Sequence, residues 1–163
     1  VVIAAHSDQA LTMLADPTRK EKEILGAIAY QENDTVLHTD TAMLPKHQKA
    51  WAAWNYFIPP EDTGRVAVTY DMNILQGLDA EDEFCTSLNR TESVDPAKII
   101  RRITYYHPVY TPTSLAARRR RDEISGKNRT WYCGAYWHYG FHEDGVKSAV
   151  EVCRHFGKSI ENA

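Results

Sequence analysis

The segment Trp131–Val146, WYCGAYWHYGFHEDGV, constrains this chain more than any other stretch. An apolar run suited to a buried strand stops at Gly134, a loop follows, and a helix opens at Asp144-Gly145. A strand, glycine turn and helix start in that order offer a ligand unpaired backbone N–H groups and the positive end of a helix dipole. An electron-rich carbonyl or a phosphate oxygen is stabilised at such a place. Gly134 and Gly145 let the backbone approach closely. Glu143 and Asp144 would repel a bare phosphate, so they suit capping roles or the hydroxyls of a sugar-like chain.

The remaining chain sorts into segments of different texture. Val1–Ala5 reads as a short buried strand, and Ser7 or Asp8 caps a helix over about 8–14. A second helix starts near Asp16-Pro17-Thr18 with Asp16 as cap, carries Glu21 and Glu23 near its positive end, and stops at Gly26. Residues 27–31 and 34–39 flank the polar cluster Glu32-Asn33-Asp34 and predict a hairpin. Ala52–Phe57 and Arg65–Leu75 read as strands joined by the loop Pro59–Gly64, with Val66, Val68, Tyr70 and Met72 alternating toward one buried face. Glu83–Leu88 and Ile99–Tyr106 add two more strands. Thr113–Ser125 predicts a helix ended by Gly126, Arg129–Cys133 a strand, and 144–156 a last helix. This order predicts an α+β fold: a mainly antiparallel sheet with helices, followed by a C-terminal strand–helix segment. The divisions expected are 1–15, 16–128 and 129–163.

Composition excludes several classes. The 163 residues suit one ordinary domain, and 43% hydrophobic with 25% charged residues predicts a packed core. A net charge of −3 gives no reason to expect nucleic acid. No apolar run approaches the roughly 20 residues that span a bilayer, and no secretory leader pattern opens the chain. Three cysteines, Cys85, Cys133 and Cys153, without CxxC spacing argue against a disulfide framework or zinc ribbon, and predict a cytoplasmic setting. The chain starts without methionine inside strand-like sequence, which predicts a fragment of something longer.

Four segments resemble the flavin-containing amine oxidase superfamily, and more narrowly its bacterial FAD/NAD-binding amine-oxidase-like proteins. They are VVIAAHSDQAL at Val1–Leu11, YQENDTVLHTD at Tyr30–Asp40, AWAAWNY at Ala50–Tyr56 with VTYDMNILQ at Val68–Gln76, and CGAYWHYGFHEDGVKS at Cys133–Ser148. The resemblance implies a substrate-domain sheet and the C-terminal segment of an FAD-binding domain. It implies that Gly134, Ala135 and Tyr136 pass the ribityl–pyrophosphate region of FAD. It also implies that Glu143, Asp144, Gly145 and Val146 open a helix aimed at the pyrimidine side of the flavin, where the dipole favours negative charge on the reduced ring. Aromatic framing of the flavin would make Trp54, Tyr56, Tyr136, Trp137 and His142 substrate-facing. Two positions depart from the superfamily pattern: Ala135 where an acidic residue is common, and Ala149 where glycine is common. No GxGxxG fingerprint occurs, so the pyrophosphate-binding unit is expected upstream, and this chain alone is expected to bind FAD weakly or not at all.

Other groupings carry blander expectations. His38, Asp40, His138, His142, Glu143 and Asp144 match no metal-ligand spacing, and no metal is expected. Trp51, Trp54, Tyr56, Tyr70, Tyr136 and Trp137 suit a sheet-based core as well as a site. Arg118–Arg121 reads as a solvated helix surface with Arg118–Asp122 and Arg119–Glu123 pairs. Cys133 reads as a buried strand cysteine. The functional expectation is a C-terminal part of an FAD-dependent oxidoreductase acting on a small molecule, inactive without its N-terminal FAD domain. The alternative is an independent non-catalytic domain that binds a small apolar ligand or a partner chain. A fragment deprived of its partner would expose an apolar sheet edge and the empty FAD groove, and self-association is then expected.

Overall fold

A computed structural model describes residues 1–60 and 64–160. The loop expected at Pro59–Gly64 therefore lies partly outside the described residues. In chain order the elements are β1 (Val2–Ala4), α1 (Ser7–Met13), α2 (Arg19–Leu25), β2 (Tyr30–His38), β3 (Trp54–Phe57), β4 (Ala67–Asp71), α3 (Met72–Gln76), β5 (Cys85–Leu88), β6 (Ile99–Pro108), α4 (Pro112–Arg118), β7 (Trp131–Cys133) and α5 (His142–Arg154). The class is α+β. Two compact units divide the chain: Val1–Gln31 with Pro108–Ala163, and Glu32–His107. Residues 16–31 and 108–128, expected with the sheet, thus pack with the chain ends.

The terminal unit is built on helices around a two-stranded parallel sheet. β1 pairs β7 with Ile3 opposite Tyr132 and Ala4 opposite Cys133. Ile24, Leu25, Ile28, Tyr132, Tyr136 and Trp137 form most of its buried core. The cap of α2 is Thr18, not Asp16: Thr18 Oγ1 accepts from the Glu21 amide at 3.2 Å, and Glu21 accepts from the Thr18 amide at 2.7 Å. This reciprocal T-x-x-E cap occupies two otherwise orphan N–H groups. Glu21 also accepts from the Tyr132 hydroxyl at 2.6 Å in the core. Burial opposes its ionisation, yet the Tyr132 and Thr18 donors hold its carboxyl below the ordinary range. Helix α1 is capped at His6 rather than Ser7 or Asp8, because Ser7 is buried and its amide donates to the Tyr30 hydroxyl at 2.9 Å.

The helix expected over Thr113–Ser125 stops at Arg118 and tightens into a single 3-10 turn at Arg121–Glu123. The arginine run is the physical reason. Arg118 Nε donates to the Trp137 carbonyl at 3.0 Å. Arg120 pairs with Glu123 at 2.9 Å. Arg121, with its side chain only 13% exposed, pairs with Glu151 and donates to the carbonyls of Tyr132 and Ser148. Continuous helix could not send these three side chains to such different acceptors. Arg118 and Arg121 are therefore inward clasps while Arg119 stays exposed, and the expected Arg118–Asp122 and Arg119–Glu123 pairs do not form.

The Glu32–His107 unit contains a five-stranded antiparallel sheet in the order β3-β4-β5-β2-β6. Its apolar cluster is small: Val36, Met43 and Val94, with Ile99 against them. Polar side chains fill much of the remainder. The His38 Nδ1 atom accepts the Asp40 N–H at 3.0 Å, so Nε2 carries the proton and donates to Ser87 Oγ at 2.9 Å. Ser87 in turn meets Thr69 Oγ1 at 2.7 Å.

Two expectations fail in this unit. The hairpin at Glu32-Asn33-Asp34 is one unbroken strand, β2. Its polar residues find partners across the sheet instead of turning: Asn33 with Asn89 at 2.7 Å and His107 at 2.8 Å, and Glu32 with Tyr106 at 3.2 Å. The strand expected over Arg65–Leu75 ends at Asp71, whose carboxylate accepts the Ile74 amide at 3.0 Å and caps α3. Val66 is consequently exposed and Met72 helical, while Thr69 and Asp71 are fully buried.

Candidate functional site

The site is assembled from the glycine turn after β7 and the first turn of α5, both in the terminal unit. A Cβ on Gly134 would sit 2.4 and 2.8 Å from two ring carbons of Tyr136, so only glycine lets that ring fold back under the turn. Tyr136 and Trp137 then pack with centroids 4.8 Å apart, both at least 96% buried. Burial, with Tyr30 and Cys133 nearby, pushes the Tyr136 hydroxyl far above its ordinary pKa.

Ser148 is the fastener. Its Oγ accepts the Gly134 N–H at 2.7 Å and donates to the Gly145 carbonyl at 2.9 Å. Asp144 does the same for the loop: one carboxylate oxygen accepts both the Tyr139 and Phe141 amides at 3.1 Å. Helix α5 begins at His142, two residues ahead of the expected Asp144, because Asp144 reaches back to the loop from the third helical position. Among the described residues, the amides of Ala135, His142 and Glu143 engage no acceptor. The Gly134 amide is occupied by Ser148. Gly145 is not crowded either: a Cβ there would meet only the Ala135 side chain at 4.0 Å. The glycine that the loop does require is Gly140, with φ +89° and a Cβ position 2.6 Å from the Tyr110 hydroxyl.

One cation stands beside this loop. Arg118 lies 5.3 Å from the Tyr110 ring centroid and 5.6 Å from that of Tyr139. Its Nε bond to the Trp137 carbonyl fixes it there, and its Nη1 is buried with no acceptor. Cys133 is buried and its S–H points to the Ile3 carbonyl at 3.8 Å, and burial pushes the thiol up, against thiolate formation. Among the described residues, no three His, Cys, Asp or Glu side chains converge to hold a metal.

Of the residues marked out by sequence, Gly134, Ala135, Asp144 and Gly145 are brought together into one clasped turn. Glu143, His142 and Val146 are exposed on the outer side of α5. Tyr136 and Trp137 point into the core, whereas Trp54 and Tyr56 are exposed on β3 in the other unit. Ser148, Arg118 and Gly140 were not marked out. Ser148 had a signal: it shares a helical face with Gly145 and Val152, one turn away on either side. Chemically, the three free amides and the dipole of a 13-residue helix stabilise a negatively charged oxygen.

No protein-family model and no curated protein matches the chain. Among solved structures, it is similar to the CLA-producing fatty acid isomerase from P. acnes, with a TM-score of 0.61 at 18% identity. That likeness covers 95% of this chain and 41% of the isomerase, so the two share a fold over less than half of the larger protein.

Proposed function

We propose that this chain forms one wall of the FAD site, together with the substrate-side sheet, of an amine-oxidase-like oxidoreductase or of a relative that isomerises a lipid-like molecule. The observation that carries the reading is the turn itself: parallel β7 runs through Gly134 and Ala135 to a helix whose first amides, at His142 and Glu143, lie unengaged. The donor set is neutral and suits a flavin carbonyl or a ribityl oxygen. A further support is the open pairing of β1 and β7. Parallel strands are ordinarily part of larger sheets covered on both faces, and among the described residues each of these pairs with the other alone. Bound FAD would supply the hydride chemistry. The chain's part is orientation: Ser148 and Asp144 hold the turn, and the helix dipole favours negative charge where the amides point.

The test is expression of the complete reading frame that contains this chain. A visible flavin absorbance band that persists through gel filtration supports the reading; a colourless, folded product that takes up no added FAD defeats it. A rival reading, an independent non-catalytic module, is favoured by one feature. Strand β3 lies at the edge of its sheet and exposes Trp54, Tyr56 and Phe57, followed by Ile58. Such a strand invites a partner chain. Under that reading the protein self-associates or captures a ligand without flavin, and a strictly monomeric species with no ligand uptake by light scattering and calorimetry would count against it.

A further inference from the structure

A recess in the Glu32–His107 unit holds a cation without a counter-charge, and it does not depend on the flavin reading. The cation is Arg90, two residues past the end of β5. Asn89 before it takes φ +56°, a left-handed conformation uncommon outside glycine. Asn89 is locked there: its amide donates to the Asp34 carbonyl at 2.8 Å, and its side chain donates to Asn33 Oδ1 at 2.7 Å and to the Val66 carbonyl at 2.8 Å. The direction in which Arg90 leaves the sheet is thereby fixed. Its guanidinium carbon lies 3.8 Å from the centroid of the Phe57 ring. A contact that close is made by the flat face of the guanidinium and leaves its N–H edge for acceptors. Among the described residues, no acceptor takes a hydrogen bond from Arg90 and no carboxylate pairs with it. None of its nitrogens is sealed from solvent.

Arg90 lines a cavity of about 350 Å³ together with Arg65, Phe57, Pro59, Ala67, Asp34 and Glu92. That volume is in the range of small-molecule sites. Phe57, Pro59 and Ala67 give the cavity an apolar side. The charge on Arg90 is partly desolvated: burial lowers its pKa, and no neighbouring acid opposes the shift. A positive group taken from water without a counter-ion gains most from an anion brought to it. The shape and charge of that anion are limited by the walls. The planar N–H fork of a guanidinium matches the two oxygens of a carboxylate. Asp34 and Glu92 in the same wall act against a second negative charge, so a doubly charged phosphate is disfavoured relative to a carboxylate. An apolar group joined to the carboxylate has Pro59 and Ala67 to cover it.

We propose that the recess between Arg90, Phe57, Pro59 and Ala67 binds a small organic carboxylate, its two oxygens on the N–H edge of Arg90 and its apolar part against Pro59 and Ala67. Isothermal titration of the intact protein with benzoate, and in parallel with the neutral isostere benzamide and with inorganic phosphate, tests this. Saturable binding of benzoate at least about tenfold tighter than either comparison compound is expected. Amide resonances of Ala67 and of Thr91, Glu92 and Ser93 should shift on addition of benzoate. Arg90→Gln should weaken benzoate by about tenfold or more, and Arg90→Lys, which keeps the charge and loses the fork, should fall between the two. Any of five outcomes would overturn the proposal: equal binding of benzamide, phosphate binding as tight as benzoate, no saturable uptake of benzoate at about 10 mM, amide shifts confined to residues away from the recess, or benzoate affinity unchanged in Arg90→Gln. The native-protein titrations and shifts decide the matter even if a variant fails to fold.

Discussion

The two units bury different chemistry. The terminal unit encloses Ile24, Leu25, Ile28, Tyr132, Tyr136 and Trp137, and the carboxylates it buries, Glu21 and Asp144, are held by donors at the helix starts. The Glu32–His107 unit encloses few apolar side chains and a row of hydroxyl, imidazole and carboxyl groups: His38, Thr69, Ser87 and Asp71. Area removed from water stabilises the first roughly in proportion to its size. The second depends on each buried polar group keeping its partner, because an orphaned donor or acceptor costs more than a made bond returns. The terminal unit should therefore respond to lost volume, and the sheet unit to lost partners and to protons.

The largest expected effect tests the first half of that contrast. Ile24→Ala removes a side chain with no exposure and should cost about 2–5 kcal/mol in urea denaturation. A loss under ~1 kcal/mol would mean that the apolar core is not what holds this unit. Next comes Gly134→Ala, which drives a methyl into the Tyr136 ring. It should cost about 1–3 kcal/mol through overpacking, and near-ultraviolet circular dichroism from Tyr136 and Trp137 should weaken with it. In the sheet unit, Ser87→Ala strips partners from both His38 Nε2 and Thr69 Oγ1. A cost of about 1–3 kcal/mol is expected, with Ser87→Thr or a paired Thr69→Val change recovering part of it.

The smallest effect is a dependence on pH, and it belongs to the sheet unit. Burial lowers the His38 pKa below its ordinary 6.5, with Asp40 opposing and Lys98 adding to the shift. Between the lowered folded value and 6.5 the unfolded chain binds a proton that the folded chain refuses, so stability rises with pH there. Denaturation midpoints should fall as pH drops through 6.5 and level off once the folded imidazole also titrates. His38→Gln should flatten that window. Asp40 acts further down: burial opposes its charge, but the Asp95 amide, Lys98 and the Ala42 amide hold its carboxyl below 3.8. Its contribution is present above pH 3.8 and is lost only as pH falls below it.

Much of the terminal unit was legible because its signals are local. A strand ending at glycine and a helix opening among acidic residues are read within about 15 positions, and β7, Gly134 and α5 stand close to where the pattern put them. The Thr18-x-x-Glu21 cap was equally readable, although Asp16 was the nearer-looking candidate. The sheet unit was harder. Glu32-Asn33-Asp34 looks like a turn until Asn89, Tyr106 and His107, between 56 and 74 positions away, supply its partners. Met72 continues an alternating pattern until Asp71 caps a helix in front of it.

The amino-acid sequence by itself determined the α+β class, the strand–glycine–helix order of Trp131–Val146 and the approximate places of α1, α2, α4 and α5. Periodicity and capping act between residues one to four apart. Only the tertiary structure decided that Tyr136 and Trp137 fill a core, that Arg118, Arg120 and Arg121 leave the helix to reach separate acceptors, and that the carboxyls of Asp71 and Glu83 meet. Each of these depends on which distant group arrives beside a side chain, and on whether water remains there to solvate it.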